Sequence, residues 1–269
     1  MKDDTLKIVR TRQYQKLDGA MLKWIAMITM VIDHLGAVVL FRLLKDGSIP
    51  AASRDVWQGI YDGLRMVGRT AFPIFCFFIV EGFFHTRCVW RYMLRLGVFA
   101  LISEAPFDLA VSALLGEDWR NLTGYMWENQ NVMVTLLLGL FAIRGMDGLR
   151  KRLHEAEISL RTGVVLTGAG WAVIGAVAVW VGALCRADYG GYGVLCILVM
   201  YLCYPERELM ALLGYGALFR ADPGSLTGFL FLLLYNGERG KQPKYLFYGF
   251  YPLHLAVLFG VSVVLAYFL

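Results

Sequence analysis

The sequence predicts an all-α protein, a polytopic integral membrane helical bundle of about nine transmembrane helices, with a range of eight to ten. Three observations support this prediction. Of 269 residues, 58% are hydrophobic and only 17% are charged, and the mean hydropathy is +0.56. Apolar runs of about 20 residues, the length of a helix that spans a bilayer, recur along the chain. Lysine and arginine concentrate in alternate connecting segments, as in the cytoplasmic loops of membrane proteins.

Nine apolar runs follow one another along the chain. Five clear spans are expected at residues 22–44, 64–84, 93–115, 131–149 and 163–185. Four further stretches follow at 189–204, 208–219, 226–236 and 245–268, and the middle two are short enough to form a re-entrant pair. No linker rich in Pro, Gly or Ser divides the chain. We therefore expect a cytoplasmic N-terminal leader at 1–21 and a single transmembrane domain at 22–269.

The distribution of positive charge predicts the orientation. With the N-terminus in the cytoplasm, most of the 26 lysine and arginine residues fall in inner loops. The first apolar run is too long for a cleaved signal peptide and lacks a small-residue cleavage site, so it is expected to remain as an anchor. The expected location is the cell membrane, with multiple passes. The net charge of +5 is explained by the inner loops and their contact with anionic lipid, so no nucleic-acid partner is expected.

Ionisable side chains inside predicted spans are functional candidates, because they are costly in hydrocarbon. In the first span, Lys23 and His34 are eleven residues apart and lie on nearly one helix face, about 16 Å apart along the axis. Asp33 is the other ionisable residue of this run. A basic group at one membrane surface therefore faces the same groove as a buried imidazole.

The second span carries Arg69, Pro73, Glu81 and His85. Glu81 and His85 share a helix face because they are four residues apart. Pro73 interrupts the hydrogen-bond ladder between Arg69 and Glu81, so a bend around a cavity is expected there. A purely structural ion pair between Arg69 and a carboxylate is the alternative interpretation.

Glu104 and Asp108, in the third span, are two carboxylates at four-residue spacing. Because like charges in a low dielectric do not both ionise easily, at least one is expected to be protonated or paired with Arg69 or Lys23. The spacing suits proton transfer and a structural salt bridge equally. Asn131 opens the fourth helix, and His254 follows Pro252 in the last, where it either binds a ligand or anchors the helix.

Five blocks of the sequence carry a resemblance to a known family. They are Leu22 to Gly36, Gly68 to Gly82, Ser103 to Asp108, Asn131 with the apolar run after it, and Tyr248 to His254. These blocks resemble the TraX family, which is named for a conjugative-pilus protein associated with N-terminal acetylation of pilin. More distantly, the chain is similar to membrane acyltransferases of the acyltransferase-3 type. Those proteins commonly have arginine where this chain has Lys23, with ten residues between it and the histidine.

The resemblance implies transfer of an acetyl group from cytosolic acetyl-CoA to an acceptor, either a pilin-like N-terminal amine, a peptide, or a glycan or lipid hydroxyl. Such a reaction needs a base, for which neutral imidazole is suited. We predict that His34 is this base, oriented by Asp33 or, since adjacent helix residues point about 100° apart, by a carboxylate such as Glu104 on another helix. Lys23 would meet the phosphates or pantetheine of the donor.

The predicted catalytic set is therefore His34, Asp33 and Glu104. The predicted set for binding acetyl-CoA and acceptor is Lys23, Arg69, Glu81, His85, Asp108, Asn131, Tyr248 and His254. No metal is expected, because no ligand spacing typical of zinc occurs. Membrane lipids are the other expected partners.

A proton-coupled transporter is the alternative. In that case intramembrane acids and a histidine would form a relay: Asp33, Glu81, Glu104, Asp108 and His254. The chain shows no inverted repeat and no matching pair of interrupted helices, which are typical of such transporters.

Overall fold

The computed structural model describes residues 14–45, 47–115, 129–156, 158–241 and 246–268. Within these ranges the chain is helical, with two isolated β-bridges and no β-strand. The all-α prediction is confirmed. The α-helices are α1 (Gly19–His34), α2 (Phe41–Lys45), α3 (Arg54–Gly68), α4 (Ala71–His85), α5 (Val89–Leu115), α6 (Val132–Glu155), α7 (Leu160–Leu184), α8 (Gly190–Leu202), α9 (Arg207–Phe219), α10 (Leu226–Leu233) and α11 (Leu246–Phe268).

In the described part of the chain, five stretches are long and apolar enough to cross a membrane: Gly19–Lys45, Ala51–His85, Val132–Glu155, Leu160–Leu184 and Leu246–Leu265. Two shorter apolar helical stretches are Gly190–Leu202 and Pro223–Leu233. Every predicted apolar run lies mainly within helix, although the number of crossings stays a prediction. α9 and α10, the predicted re-entrant pair, have 13 and 8 residues and pack against each other. At 1.5 Å per residue both are shorter than a bilayer core of about 30 Å.

The predicted second span is divided into two helices. α3 ends at Gly68, and α4 begins at Ala71 after a turn through Arg69 and Thr70. Pro73 stands in the first turn of α4, where its missing N–H breaks no helical hydrogen bond. The expected bend at Pro73 is therefore wrong, because the chain changes direction four residues earlier.

α3 is amphipathic and lies along α1. Its apolar side carries Val56, Trp57 and Ile60, which are all exposed, and its opposite side is polar. The two helices are in close contact at Gly68, where a Cβ atom would overlap the Asp33 side chain. The sequence-based prediction missed this helix because an amphipathic segment has a low mean hydropathy.

The core lies around α4, α6 and α8. Ile74 of α4, Leu140 of α6 and Ile197 of α8 are fully buried. α7 is peripheral, and Gly182 is its one buried residue. α11 packs along α5 and also contacts α1 and the π-helical turn Leu35–Leu40 that continues α1 after His34. This contact brings the first and last described helices together beside His34.

Replacing Gly68 with alanine should destabilise the protein, because the added Cβ would force α1 and α3 apart. Overpacking of this kind costs about 1–3 kcal/mol. We expect the apparent melting temperature of the detergent-purified protein to fall by roughly 2–10 °C. Gly63→Ala on the same helix is the matched control, because open space surrounds Gly63. It should keep or raise the melting temperature, since alanine favours helix. Equal values for both variants would contradict the close approach.

Candidate functional site

The imidazoles of His34 and His254 meet between α1 and α11. His254 Nε2 lies 3.2 Å from His34 Nδ1, and the ring centroids are 5.0 Å apart. His254 is buried and its ring stacks on that of Phe250 at an interplanar angle of 7°, whereas His34 is half-buried. Two histidines that are 220 positions apart in the sequence thus form one pair.

Main-chain carbonyls determine which nitrogen of each ring carries the proton. His34 Nδ1 lies 2.9 Å from the Met30 carbonyl, and His254 Nδ1 lies 2.9 Å from that of Phe250. Because a carbonyl only accepts hydrogen bonds, both Nδ1 atoms carry the proton when the rings are neutral. His254 Nε2 then accepts from the His34 N–H. His34 Nε2 keeps its lone pair and makes no hydrogen bond within the described residues.

Asp33 points to a different partner. Its Oδ2 lies 2.5 Å from Arg65 Nη1, and its Oδ1 is buried without a hydrogen-bond donor in the described structure. Asp33 therefore links α1 to α3. The side chain that contacts the His34 ring is the imidazole of His254 and not a carboxylate, as had been predicted.

Glu104 belongs to the junction of α5 and α6. Asn131 caps α6 by accepting from the Met133 N–H at 3.0 Å, while its amide group donates to Glu104 Oε2 and to the Ala100 carbonyl. Neither Glu104 nor Asp108 pairs with Arg69 or Lys23. Instead, each keeps one buried oxygen without a hydrogen-bond partner among the residues described. Among the described residues the predicted pairing with Arg69 or Lys23 is therefore wrong, and Glu104 accepts from the amide of Asn131 instead. Protonation of one of the two carboxylates, the other expected outcome, stays a prediction.

Arg69 pairs with a carboxylate that the sequence analysis did not select. Its Nη1 lies 3.5 Å from Oδ2 of Asp222, which is only 3% exposed. Burial raises the pKa of Asp222, and the positive charge of Arg69 opposes that rise. Because Asp222 precedes the short turn before α10, the pair fixes this connection against α4.

Lys23 and Glu81 lie toward the other end of α1. The Lys23 Nζ stands over the Phe78 ring at 4.5 Å and the Phe247 ring at 5.3 Å, and its charge interacts with those of Glu81 and Arg239.

The Glu81 carboxylate accepts hydrogen bonds from two phenols, Tyr204 at 2.5 Å and Tyr235 at 2.9 Å. His85 is exposed, with Nδ1 3.7 Å from the same carboxylate.

The sequence profile of the family described as TraX protein matches residues 18–262. The chain belongs to the TraX family. It is 32% identical over 266 residues to the probable fimbrial assembly protein FimC, serogroup H1, of Dichelobacter nodosus, and the match covers 91% of this chain and 95% of that protein. No solved structure matches.

In this TraX family member, the remaining predicted binding residue, Tyr248, stacks on Phe99 of α5 with ring centroids 5.0 Å apart. The charge of Arg95 interacts with Tyr248, and its Nε is buried without a hydrogen-bond partner in the described ranges. Together with Lys23 beside Phe247, Arg95 makes the region between α1, α5 and α11 basic and aromatic. Arg95 was missed because a lone arginine near a span end is normally assigned to topology.

Replacing Asn131 should separate its two roles in this TraX family member. Asn131→Ala removes the helix cap and the donor to Glu104, whereas Asn131→Ser keeps a capping oxygen and removes only the donor. We expect both variants to melt below wild type and the alanine variant to be less stable than serine by about 1 kcal/mol. Thermal unfolding in detergent measures this order. A serine variant as stable as wild type would show that the contact with Glu104 contributes nothing.

Proposed function

We propose that this protein is an integral membrane acetyltransferase that transfers an acetyl group from cytosolic acetyl-CoA to an amine of a pilin-like protein. The observation that carries the proposal is the His34–His254 pair, which leaves the lone pair of His34 Nε2 free. Family membership and the fimbrial assembly relative support a role in pilin modification.

His34 is the proposed general base. Its Nε2 takes a proton from the neutral acceptor amine while the amine nitrogen attacks the thioester carbonyl. The C–N bond forms, the C–S bond breaks, and the departing thiolate takes up a proton from His34. While His34 carries the extra proton, its Nδ1–H strengthens the hydrogen bond to His254 Nε2, which stabilises the imidazolium. His254 is thus a positioning residue that takes the place of the predicted carboxylate.

The basic region between α1, α5 and α11 is the proposed donor path. A CoA thioester carries several phosphate charges, and Lys23 and Arg95 are cations near the path between one helix end and the histidine pair. Lys23 contacts the rings of Phe78 and Phe247. These rings could also pack against the adenine ring or the pantetheine chain of the donor.

The carboxylates on the other side of His34 favour an amine over a hydroxyl acceptor. The charge of Asp33 interacts with those of Asp188 and Asp222, and each of these two also interacts with Arg65 and Arg69. When all five are ionised, one negative charge is in excess. A protonated amine neutralises that charge on binding and passes its extra proton to one of these carboxylates, which leaves the neutral amine on which His34 acts. A glycan or lipid hydroxyl brings no such charge.

The proposed placement is the cell membrane, with about nine crossings and the N-terminus in the cytoplasm. In this orientation the Lys23 end of α1 faces cytosolic acetyl-CoA, and the Asp33 end faces the acceptor side. The two substrates would then approach the histidine pair from opposite ends.

The first experiment measures acetylation of a pilin-like peptide by mass spectrometry, using purified protein and acetyl-CoA. His34→Ala should reduce the rate at least a hundredfold, because general-base catalysis contributes about 10²–10⁴-fold. His254→Gln, which retains a hydrogen-bond acceptor, should keep more activity than His254→Ala. His154→Ala is the control, since His154 is exposed in the α6 terminus. Full activity in His34→Ala would reject the proposed base.

The second experiment measures acetyl-CoA binding in nanodiscs. Lys23→Ala should weaken binding roughly tenfold, in line with about 1.4 kcal/mol for a lost charge-assisted contact. His34→Ala should bind nearly as wild type, because the base acts on the acceptor. If no variant, wild type included, bound any CoA thioester, the acetyltransferase proposal would fail and proton-coupled uptake would be the function to assay.

A further inference from the structure

An apolar groove runs along the outside of the bundle between α6, α7 and α8. It has a volume of about 540 Å³, and its lining includes Met146, Gly168, Trp171, Val179, Leu195 and Leu202. None of the residues that line it belongs to the site around His34. The groove lies on the periphery, because α7 buries only Gly182 within the described structure.

The shape of the groove suits a hydrocarbon chain. The lining residues of α7 run from Gly168 to Val179, a length of about 16 Å along the helix axis. Those of α8 run from Leu195 to Leu202, a length of about 10 Å. Gly168 has open space around its Cα, so no side chain closes the groove at that end. A long, narrow and apolar depression of this kind matches an extended acyl chain better than a compact polar ligand.

One end of the groove has the residues of a membrane–water interface. The Trp171 indole N–H donates to the Met146 carbonyl at 2.9 Å, and its ring meets Tyr201 edge-on with centroids 6.3 Å apart. Arg150 lies four residues after Met146, on the same face of α6, one turn further out. Tryptophan and tyrosine at the level of lipid headgroups, with a cation beyond them, are typical of this boundary.

The same end has a net positive charge. Asp147 accepts from Lys151 at 2.6 Å and lies 3.7 Å from Arg150, so one carboxylate serves two cations. The side chains of both cations are more than 60% exposed, which leaves donors available for a phosphate. An anionic headgroup would be attracted here, at about 1 kcal/mol per basic residue near a membrane surface.

A helix from a second copy of this chain fits the groove less well. The small residues of α7 would allow close helix packing. However, a two-fold axis along the membrane normal would bring the basic end of α6 in one copy toward the same basic end in the other. Repulsion between those ends disfavours a second copy, whereas it favours an anionic lipid.

We propose that this groove binds an anionic phospholipid, with one acyl chain lying between α7 and α8 and the phosphate at Arg150 and Lys151. The proposal is independent of the acetyltransferase reaction, because it concerns another face of the bundle.

Native mass spectrometry of the delipidated full-length protein tests this site, with phosphatidylglycerol and phosphatidylcholine of identical acyl chains as probes. Wild type should retain phosphatidylglycerol at least fivefold better than phosphatidylcholine. The double variant Arg150→Gln/Lys151→Gln should lose this preference, and Gly168→Leu, which fills the groove, should reduce retention of phosphatidylglycerol. The controls are Arg220→Gln for charge and Gly216→Leu for volume, since Gly216 is exposed on α9 with open space around it.

Three results would overturn the proposal. They are equal retention of the two lipids by wild type, unchanged preference in the double charge variant, and a dimer mass that Gly168→Leu converts to monomer. Melting temperatures of all variants, measured in the same detergent, show whether each remains folded. If Gly168→Leu unfolds, Ala172→Val fills a smaller part of the same groove and serves in its place.

Discussion

The contact between Asp33 and Arg65 joins the first two long elements of the fold. It forms because Gly68 has no side chain, which lets the end of α3 lie directly on α1. With α3 held in this position, the chain turns at Arg69 and Thr70, and α4 enters the core. Arg69 then reaches Asp222, which lies just before α10. One ion pair and one glycine thereby determine where the connection before α10 can lie.

The histidine pair shows how an imidazole is oriented in an apolar interior without a charged partner. A carboxylate beside an imidazole would have to be desolvated, and removing an ion from water costs several kcal/mol even after relaxation. A second neutral imidazole accepts the same hydrogen bond with no net charge. Two helix carbonyls provide the remaining partners, so the local helix geometry of α1 and α11 fixes both rings.

Hydropathy was sufficient to locate the long helices, because apolar stretches long enough to cross a bilayer stand out in the average over a window of that length. It was insufficient at α3, whose polar side lowers the average, and at Pro73, whose effect depends on its position within the helix. Spacing placed Lys23 and His34 on one face, but the partner of His34 could not be predicted, since it comes from a helix more than 200 residues away. The same holds for Asn131 and Glu104, where the cap of one helix satisfies a carboxylate on another.

The π-helical turn at Leu35–Leu40 follows His34 directly. A π turn contains one residue more than the α-helical turn it replaces, and each residue rotates the helix by about 100°. The residues after it, including Arg42, which donates to the Ser262 carbonyl at 3.1 Å, owe their direction to this extra residue. The direction of the helix after this turn therefore depends on the number of residues in the turn. Deletion of a single residue between His34 and Phe41 would restore a regular helix and turn Arg42 away from α11, whereas most conservative exchanges of side chains in the same turn would leave that direction unchanged.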